Sequence, residues 1–234
     1  MIKLGSGSTI TTISETGAWV ETLTIHDKLV FFPKTLLRSE LGEEKIRGGM
    51  HVCLPNFGPD SANTLPQHGF GRTEVWNETR DAGSHATLEL HGGTVHYAQL
   101  VATLDYRLHG SSLVSTLQLV NNGARPLRVA PAFHPYFALD DSETAVRING
   151  DIYELSSLSG TEFIEAETVE LETANYTLQL SQTNLSTWSI WTDQLGPYIC
   201  VEPTFGGNRF LETEQSDELL NPKASRQYSL TISW

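Results

Sequence analysis

Apolar and polar residues alternate along most of the chain with a period of two. In the C-terminal segment RQYSLTISW the apolar side chains are Tyr228, Leu230, Ile232 and Trp234, and polar residues stand between them. The segments YTLQLSQ, HATLELHG and SSLVSTLQLVNNG follow the same pattern. This spacing is typical of β-strands that bury one face. Gly-Gly and Asn-Gly pairs between the segments are turn signals, so the pattern predicts a succession of short strands.

The pattern contains no regular alternation of strands with helices. A helical spacing occurs only weakly, in KTLLRSELGEEK (34–45). A run of short strands without intervening helices favours a large antiparallel β-sandwich. No internal repeat, low-complexity tract or linker divides the chain, so we predict one all-β domain over residues 1–234.

The charge of the chain argues against two classes of partner. It has 15 basic and 28 acidic residues, a formal net charge of −13. Nucleic acids and anionic membranes are polyanions that such a surface repels, so we predict neither as a partner. Cys53 and Cys200 match no metal or redox spacing and predict packed, reduced thiols. The polar N-terminus has no signal-peptide core, and no apolar run is long enough to span a bilayer, which together favour a cytoplasmic location.

Three segments interrupt the alternation and collect the unusual polar residues. The first, 46–76, is rich in Gly, Pro and Asn and carries Arg47, Gln67, His68 and Arg72. Its glycines are typical of tight turns. Loops on a rigid β scaffold are also where binding residues concentrate. We therefore treat these four polar residues as candidates for a binding site.

The other two interruptions each place one titratable residue among apolar neighbours. In RVAPAFHPYFAL (128–139) this residue is His134, and in GPYICVEPTFGGNRF (196–210) it is Glu202. A lone histidine is more often a satisfied core residue than a functional one, whereas a glutamate is rarely buried unless it is paired. An imidazole and a carboxylate can also form a general acid–base pair when burial tunes both of them. The pattern leaves both interpretations open.

Other kinds of catalytic site have less support. No G-x-S-x-G elbow is present, so covalent acyl chemistry is not indicated. No H-x-H or H-E-x-x-H motif occurs, and His91 and His96 lie five residues apart, which on a strand places them on opposite faces. We predict no bound metal.

Four short motifs together resemble one family. RGGMHVCLPNFGP, QHGFGR, FHPYF and ICVEP are similar, in this order, to motifs of the hexose-6-phosphate mutarotases, also called glucose-6-phosphate 1-epimerases. The resemblance extends from about Ile46 to the C-terminus. Each motif alone is weak, but four in order are specific. The resemblance implies a galactose mutarotase-like supersandwich, in agreement with the fold that the alternation predicts.

The resemblance also implies roles for individual residues. His134 would be the general acid on the ring oxygen of the sugar, and Glu202 the general base on its anomeric hydroxyl. His68 would lie in the sugar pocket, with Gln67 beside it. Arg47 and Arg72 would lie at the phosphate end of the site. Ring opening and reclosure by proton transfer would require no metal, nucleotide or redox cofactor.

The sequence departs from the family pattern at several places. Asn175 stands near a position where the family often has an aspartate, and we include it as a substrate-binding candidate. His51 replaces a usual proline, Asn56 a common aromatic residue and Lys223 a glycine. The chain is also shorter than typical members, and it lacks a Gly-Ala strand pair ahead of the first motif.

The leading hypothesis is therefore an aldose 1-epimerase, an isomerase acting on a hexose 6-phosphate. Arg47 and Arg72 carry the phosphate part of this hypothesis, because a protein of net negative charge needs local cations to bind a sugar phosphate. The alternatives are a mutarotase for an unphosphorylated aldose, a non-catalytic carbohydrate-binding protein on the same scaffold, and an accessory β domain in a larger sugar-processing assembly. The sequence does not distinguish a monomer from a dimer.

Overall fold

The computed structural model describes residues 1–234 apart from the side chain of Asp81, and its regular structure is almost entirely β. The strands, numbered in chain order, are β1 (Ile2–Ser6), β2 (Thr9–Ser14), β3 (Trp19–Ile25), β4 (Lys28–Leu29), β5 (Thr35–Arg38), β6 (Glu44–Arg47), β7 (Met50–Cys53), β8 (Asn77–Ala82), β9 (His85–His91), β10 (Leu100–Leu108), β11 (Ser112–Asn121), β12 (Leu127–Arg128), β13 (Ala132–Ala138), β14 (Ala145–Ile148), β15 (Asp151–Glu154), β16 (Glu162–Ile164), β17 (Thr168–Glu172), β18 (Thr177–Thr183), β19 (Thr187–Trp191), β20 (Tyr198–Thr204), β21 (Leu219–Leu220) and β22 (Ser225–Ser233). Short 3₁₀ turns span Val95–Tyr97, Leu155–Ser157, Arg209–Leu211 and Ser216–Glu218.

Two nine-stranded antiparallel sheets form the body of the protein. The first sheet has the order β1-β2-β3-β7-β13-β20-β19-β16, with β4 paired to β3. The second sheet has the order β15-β14-β17-β18-β22-β11-β10-β9-β8. Two ribbons, β5–β6 and β12–β21, lie outside both sheets. The prediction of a large antiparallel β-sandwich is confirmed.

Apolar residues from both sheets form one large core cluster between them. The first sheet contributes residues such as Val52, Phe133 and Val201, and the second contributes residues such as Leu117 and Leu230. In the second sheet the period-two pattern has its usual meaning, because β9, β10 and β22 alternate buried and less buried positions. One face of each of these strands packs in the core and the other faces outward.

Three neighbouring strands of the first sheet are buried on both faces. Every residue of β7, β13 and β20 is buried. One face of these strands supplies the core, with Phe133 and Phe137 on β13. The opposite face carries His134 and Tyr136, which alternate with them along the strand. Loops that cover this second face create the enclosed environment in which the candidate site lies.

The weak helical spacing in residues 34–45 does not correspond to a helix. The segment forms the β5–β6 hairpin, in which Leu36 pairs with Ile46 and Arg38 with Glu44. Gly42 at the turn has φ of 82°, a left-handed conformation that ends any helix and suits a glycine. Leu36 is also 59% exposed, so no buried apolar stripe is available to stabilise a helix.

Two further predictions concern cysteines and membranes. Cys53 and Cys200 are both buried and free, which agrees with the prediction of packed thiols. Across the described residues, no helix combines the length and apolar character needed to cross a membrane. The cytoplasmic location remains a prediction.

Candidate active site

An imidazole and a carboxylate meet on adjacent central strands of the first sheet. His134 on β13 and Glu202 on β20 point to the face opposite the core, with 3.3 Å between His134 Nε2 and Glu202 Oε2. Their side chains are only 4% and 2% exposed. Ser189 on β19, directly across from Glu202, donates a long hydrogen bond of 3.4 Å to Glu202 Oε1. The pair is thus nearly free of solvent and has few other polar partners.

The loop between β7 and β8 brings His68 to this pair. The ring of His68 meets that of His134 edge to face, with 4.9 Å between their centroids. His68 has φ of 66°, a left-handed backbone that is uncommon for a residue with a side chain. Gly69 follows at φ 64°, and a Cβ there would lie 1.9 Å from the Leu54 carbonyl oxygen. The glycine in the QHGFGR motif is therefore required by close backbone packing, which fixes the position of the histidine before it.

The glycine pair before β7, Gly48 and Gly49, is also required by close backbone packing. A Cβ on Gly49, at φ 64°, would lie 2.2 Å from the Val20 carbonyl oxygen. This close approach lets β7 pair with β3 at Val20 and Met50. The strand that carries His51 and Cys53 is thereby held directly beside β13.

A cavity of about 550 Å³ opens above His134. This volume lies within the usual range for small-molecule sites. The wall of the cavity consists mainly of polar, cationic and aromatic side chains, with two aliphatic residues: Lys45, Arg47, Phe57, Pro59, Gln67, His68, Arg72, His134, Tyr136, Thr161, Trp191, Asn208 and Leu211. The structure therefore brings together Arg47, Gln67, His68, Arg72 and His134, with Glu202 directly beside His134.

Asn175 lies elsewhere, and its assignment to the site is corrected. It is exposed on the turn between β17 and β18, in the second sheet, and does not line the cavity. Its backbone N–H donates to Thr173 Oγ1 at 3.3 Å, which is an ordinary turn contact. The motif around Asn175 was too short to locate it in the fold. The pairing of β17 with β18 in the second sheet places this turn away from the cavity.

The two arginines of the cavity differ in their partners. Arg47 donates from Nε to Asp193 Oδ2 at 2.9 Å, and Asp193 also accepts a hydrogen bond from the Tyr198 hydroxyl. The Arg47 guanidinium also lies over the Trp191 ring, 5.4 Å from its centroid. Arg72 has no ion-pair partner among the described residues. Of the two, Arg72 is the cation whose charge is not already matched by a carboxylate.

Aromatic side chains divide between the core and the cavity as the strand period requires. Trp188 is fully buried in the core cluster, whereas Trp191, three residues later on β19, lines the cavity. Tyr136 stacks on His134, with centroids 4.7 Å apart and an interplanar angle of 16°. Trp191, Tyr136 and Phe57 are thus the aromatic groups at the cavity wall that are available to pack on a bound ring.

Burial changes the proton affinity of both members of the pair. Removal from water raises the pKa of Glu202 well above its usual range, and only the Ser189 hydroxyl acts in the opposite direction. Removal from water also lowers the pKa of His134 well below its usual range, and the neighbouring His51, His68 and Arg72 lower it further. Burial lowers the pKa of His68 to about 3, so this ring is neutral. Burial of the pair therefore favours a neutral imidazole beside a protonated carboxyl group.

One group of potential metal ligands occurs in the described part of the chain. Donor atoms of His134, Cys200 and Glu202 lie within 4.8 Å of one another. The cationic groups of Arg47 and Arg72 are close enough to lower the pKa of His134, and they would repel a metal ion by the same field. The absence of a metal remains a prediction.

Several residues of the cavity were not found from the sequence. Lys45 lies two residues before Arg47 on β6, so the period of two could have indicated that they share a face. Asn208 follows the Gly206-Gly207 turn of the third irregular segment. Asp193 and its bond to Arg47 connect residues 146 positions apart, and no local signal announces that contact.

The stacked antiparallel sheets and the polar cavity above an imidazole–carboxylate pair define a galactose mutarotase-like β-sandwich. Solved structures show the same fold. A galactose mutarotase related enzyme from Lactobacillus acidophilus superposes with a TM-score of 0.80 at 14% identity, covering 99% of this chain and 96% of that one. A galactose mutarotase-like protein from Lactobacillus casei superposes with a TM-score of 0.78 at 16% identity, covering 100% and 99%.

The aldose 1-epimerase family model matches residues 1–205, and the chain belongs to that family. A provisionally named glucose-6-phosphate 1-epimerase of Cenchrus ciliaris is 27% identical over 149 residues, which is 56% of this chain and 41% of that protein. Another from Salmonella typhimurium is 29% identical over 115 residues, 45% of this chain and 36% of that protein. The matches thus span less than half the length of these curated relatives. The family resemblance seen in the four motifs is confirmed.

Proposed function

We propose that this protein is a mutarotase that interconverts the α and β anomers of a hexose, with a hexose 6-phosphate as the preferred substrate. Membership of the aldose 1-epimerase family supports an isomerase. The observation that carries the proposal is the His134–Glu202 pair, 3.3 Å apart and nearly solvent-free at the base of a cavity of about 550 Å³. A protein that only binds carbohydrate has no need of an acid and a base in contact.

The proposed reaction consists of proton transfers alone. Glu202 accepts the proton of the anomeric hydroxyl while His134 protonates the ring oxygen, and the C1–O5 bond breaks to give the open-chain aldehyde. Rotation about C1–C2 presents the other face of the carbonyl. The ring hydroxyl adds back to C1, returning its proton to His134, and Glu202 returns a proton to the new anomeric oxygen. Each positioned acid or base accelerates the reaction by about 10²–10⁴-fold. This acceleration suffices because the uncatalysed interconversion of anomers in water, although slow, is measurable.

The protonation state that burial favours must change for this reaction. The pair holds one proton, which burial favours on Glu202. In the proposed reaction that proton moves from Glu202 Oε2 to His134 Nε2, which lies 3.3 Å away, and gives the imidazolium and carboxylate that the mechanism uses. The two atoms are not hydrogen-bonded in the structure, so they approach each other further for the transfer. An anomeric hydroxyl that donates to Glu202 favours this transfer, because a hydrogen bond stabilises the charged carboxylate. The substrate itself thus helps to prepare its acid and base.

The cations at the cavity support the phosphate part of the proposal. Lys45, Arg47 and Arg72 all line the cavity in a protein of net charge −13. Arg72 is the strongest candidate because it has no acidic partner among the described residues, whereas Arg47 is paired with Asp193. Guanidinium groups bind phosphate oxygens through charge-assisted, often bidentate hydrogen bonds.

An anomerisation assay tests the proposal. Freshly dissolved α-glucose 6-phosphate, α-glucose and α-galactose are followed by polarimetry or by NMR of the anomeric proton, with and without the protein. We expect faster equilibration of all three sugars with the largest effect on the phosphate. An unchanged rate for every sugar, together with saturable sugar binding, would replace the enzyme by a carbohydrate-binding protein. Faster equilibration of the unphosphorylated sugars only would assign an unphosphorylated aldose as substrate.

A further inference from the structure

The histidine that lies beside His134 in the sheet has no role in the reaction proposed above. His51 on β7 pairs directly with His134 on β13 in the strand register and is fully buried. The two ring centroids are 4.7 Å apart at an interplanar angle of 32°. His51 therefore packs directly against the imidazole that we propose as the general acid.

The orientation of the His134 ring depends on packing more than on hydrogen bonding. A functional imidazole usually donates its second ring nitrogen to a partner that fixes its orientation and tautomer. Nδ1 of His134 is buried, and among the described residues it has no such partner. Three rings instead surround it from different directions: Tyr136 stacks on it at 4.7 Å, the edge of His68 meets it at 4.9 Å, and His51 packs beside it, 6.4 Å from Tyr136. Packing must supply the restraint that a hydrogen bond normally gives.

His51 is itself firmly held. Its Nδ1 lies 3.3 Å from the Val52 carbonyl oxygen, so Nδ1 carries the proton and donates to it. Its ring packs on Trp19 at 4.4 Å between centroids. Trp19 is fixed in turn, because its indole Nε1 donates to the Gly48 carbonyl oxygen at 2.9 Å. A continuous series of contacts therefore leads from the backbone at Gly48 through Trp19 and His51 to His134.

We infer that His51 is a positioning residue, whose fixed ring completes a clamp around His134 by packing beside it from β7, roughly at right angles to the stacked Tyr136, and so directs His134 Nε2 towards Glu202 and the sugar. This inference rests on the proposed function. An aromatic ring of suitable size provides the clamp, and a small side chain does not. Nε2 of His51 is buried without a partner among the described residues, an arrangement that is rare in cores and more often found at functional sites.

Kinetics of three variants test the inference. His51→Ala removes the clamp, His51→Phe restores a ring without titratable nitrogens, and Met50→Ala is the matched control, since Met50 is buried on the same strand but on the core face. We expect His51→Ala to lower kcat by about 10²-fold with little change in KM, because a misdirected catalytic group costs about this factor. His51→Phe should recover most of kcat. Met50→Ala should lose stability but keep kcat.

A second measurement does not depend on turnover. The imidazole nitrogens of His134 are observed by NMR in the folded wild type and in each variant. We expect one tautomer in the wild type and in His51→Phe, and mixed or exchange-broadened signals in His51→Ala. If His51→Ala retains the wild-type kcat and His134 signals, or if Met50→Ala changes both as strongly, the positioning role is wrong. If the wild type anomerises no sugar, the proposed function fails, while the NMR signals still decide whether His51 holds His134.

Discussion

The proposed chemistry depends on two buried titratable residues. His134 and Glu202 are each far less than a tenth exposed, and burial disfavours the charged form of each. Because the two groups lie 3.3 Å apart, a change of charge on one acts on the other, and a measured apparent pKa belongs to the pair. Predictions about single residues have to be made with that coupling in view.

Removal of the proposed base should separate binding from catalysis. Glu202→Gln keeps the shape of the side chain but cannot accept the anomeric proton. We expect sugar affinity, measured by calorimetry, to stay within a few-fold while kcat, measured by saturation-transfer NMR, falls by about 10²-fold or more. Glu170→Gln on the exposed edge of β17 is the control and should leave both unchanged. Wild-type kcat in Glu202→Gln would show that Glu202 is not the base.

The two limbs of the pH profile should reflect burial of the pair. The proposed reaction requires one proton on the pair. A second proton enters on His134, whose pKa burial lowers well below 6.5, so the acid limb should lie well below the usual imidazole value. The single proton leaves Glu202, whose pKa burial raises well above 4.5, so the basic limb should lie well above the usual carboxyl value. We would measure kcat at saturating sugar, since the substrate phosphate itself titrates near pH 6. An acid limb at the usual imidazole value, or a basic limb at the usual carboxyl value, would contradict this arrangement.

Charge at the cavity wall should affect only the phosphorylated substrate. Arg72→Ala should raise KM for a hexose 6-phosphate by about 10- to 150-fold, the effect of losing a charge-assisted contact of about 1.5–3 kcal/mol. The parent hexose should be little affected. Arg47→Ala should have a smaller selective effect because Asp193 already neutralises Arg47. Arg147→Ala, on β14 of the second sheet, is the control. Equal losses for both sugars in Arg72→Ala would show that Arg72 does not bind the phosphate.

At the scale of elements, irregular segments carry the site and buried contacts hold them in place. Residues 205–218 follow β20 and bring Asn208 and Leu211 to the cavity. Glu218, fully buried, accepts from Arg128 Nε at 2.5 Å and lies 3.5 Å from Arg209 Nη1. Arg128 also donates to the Arg209 carbonyl oxygen at 2.7 Å. The buried ion pair of Glu218 with Arg128 thus links this segment to β12.

Breaking that ion pair should destabilise the protein strongly. Glu218→Gln leaves Arg128, only 15% exposed, without its counter-charge. We expect the free energy of unfolding in urea to fall by about 3–5 kcal/mol, as for other buried pairs that lose one partner. Glu44→Gln is the matched control, because its pair with Arg38 is 51% and 69% exposed and should matter little. Similar losses in the two variants would mean that burial of the Glu218 pair is not what stabilises this segment.

At the scale of the whole molecule, the two sheets have different tasks. The second sheet alternates buried and outward residues and serves mainly to complete the core. The first sheet is enclosed on both faces at β7, β13 and β20, so one face can hold the core while the other holds polar groups away from water. The overall negative charge is then offset locally by Lys45, Arg47 and Arg72 at the cavity. A sandwich of this kind lets a stable core and a desolvated acid–base pair share the same strands.

The sequence by itself determined the β architecture and most of the candidate site. Alternation of period two is a local property, so the strands of the second sheet and the sandwich could be predicted from it. Four motifs located Arg47, His68, His134 and Glu202, because tight turns and enclosed strands require particular residues in fixed order.

Tertiary structure alone decided which of these residues meet and in what protonation state. It paired Arg47 with Asp193, 146 residues away, placed His51 against His134, and left Asn175 outside the cavity. It turned residues 34–45 into a hairpin, since their apolar side chains find no core to pack against. Register between distant strands and burial from water set these contacts and the direction of each pKa shift. Both are properties of the assembled sheets, because no single segment contains the partners that determine them.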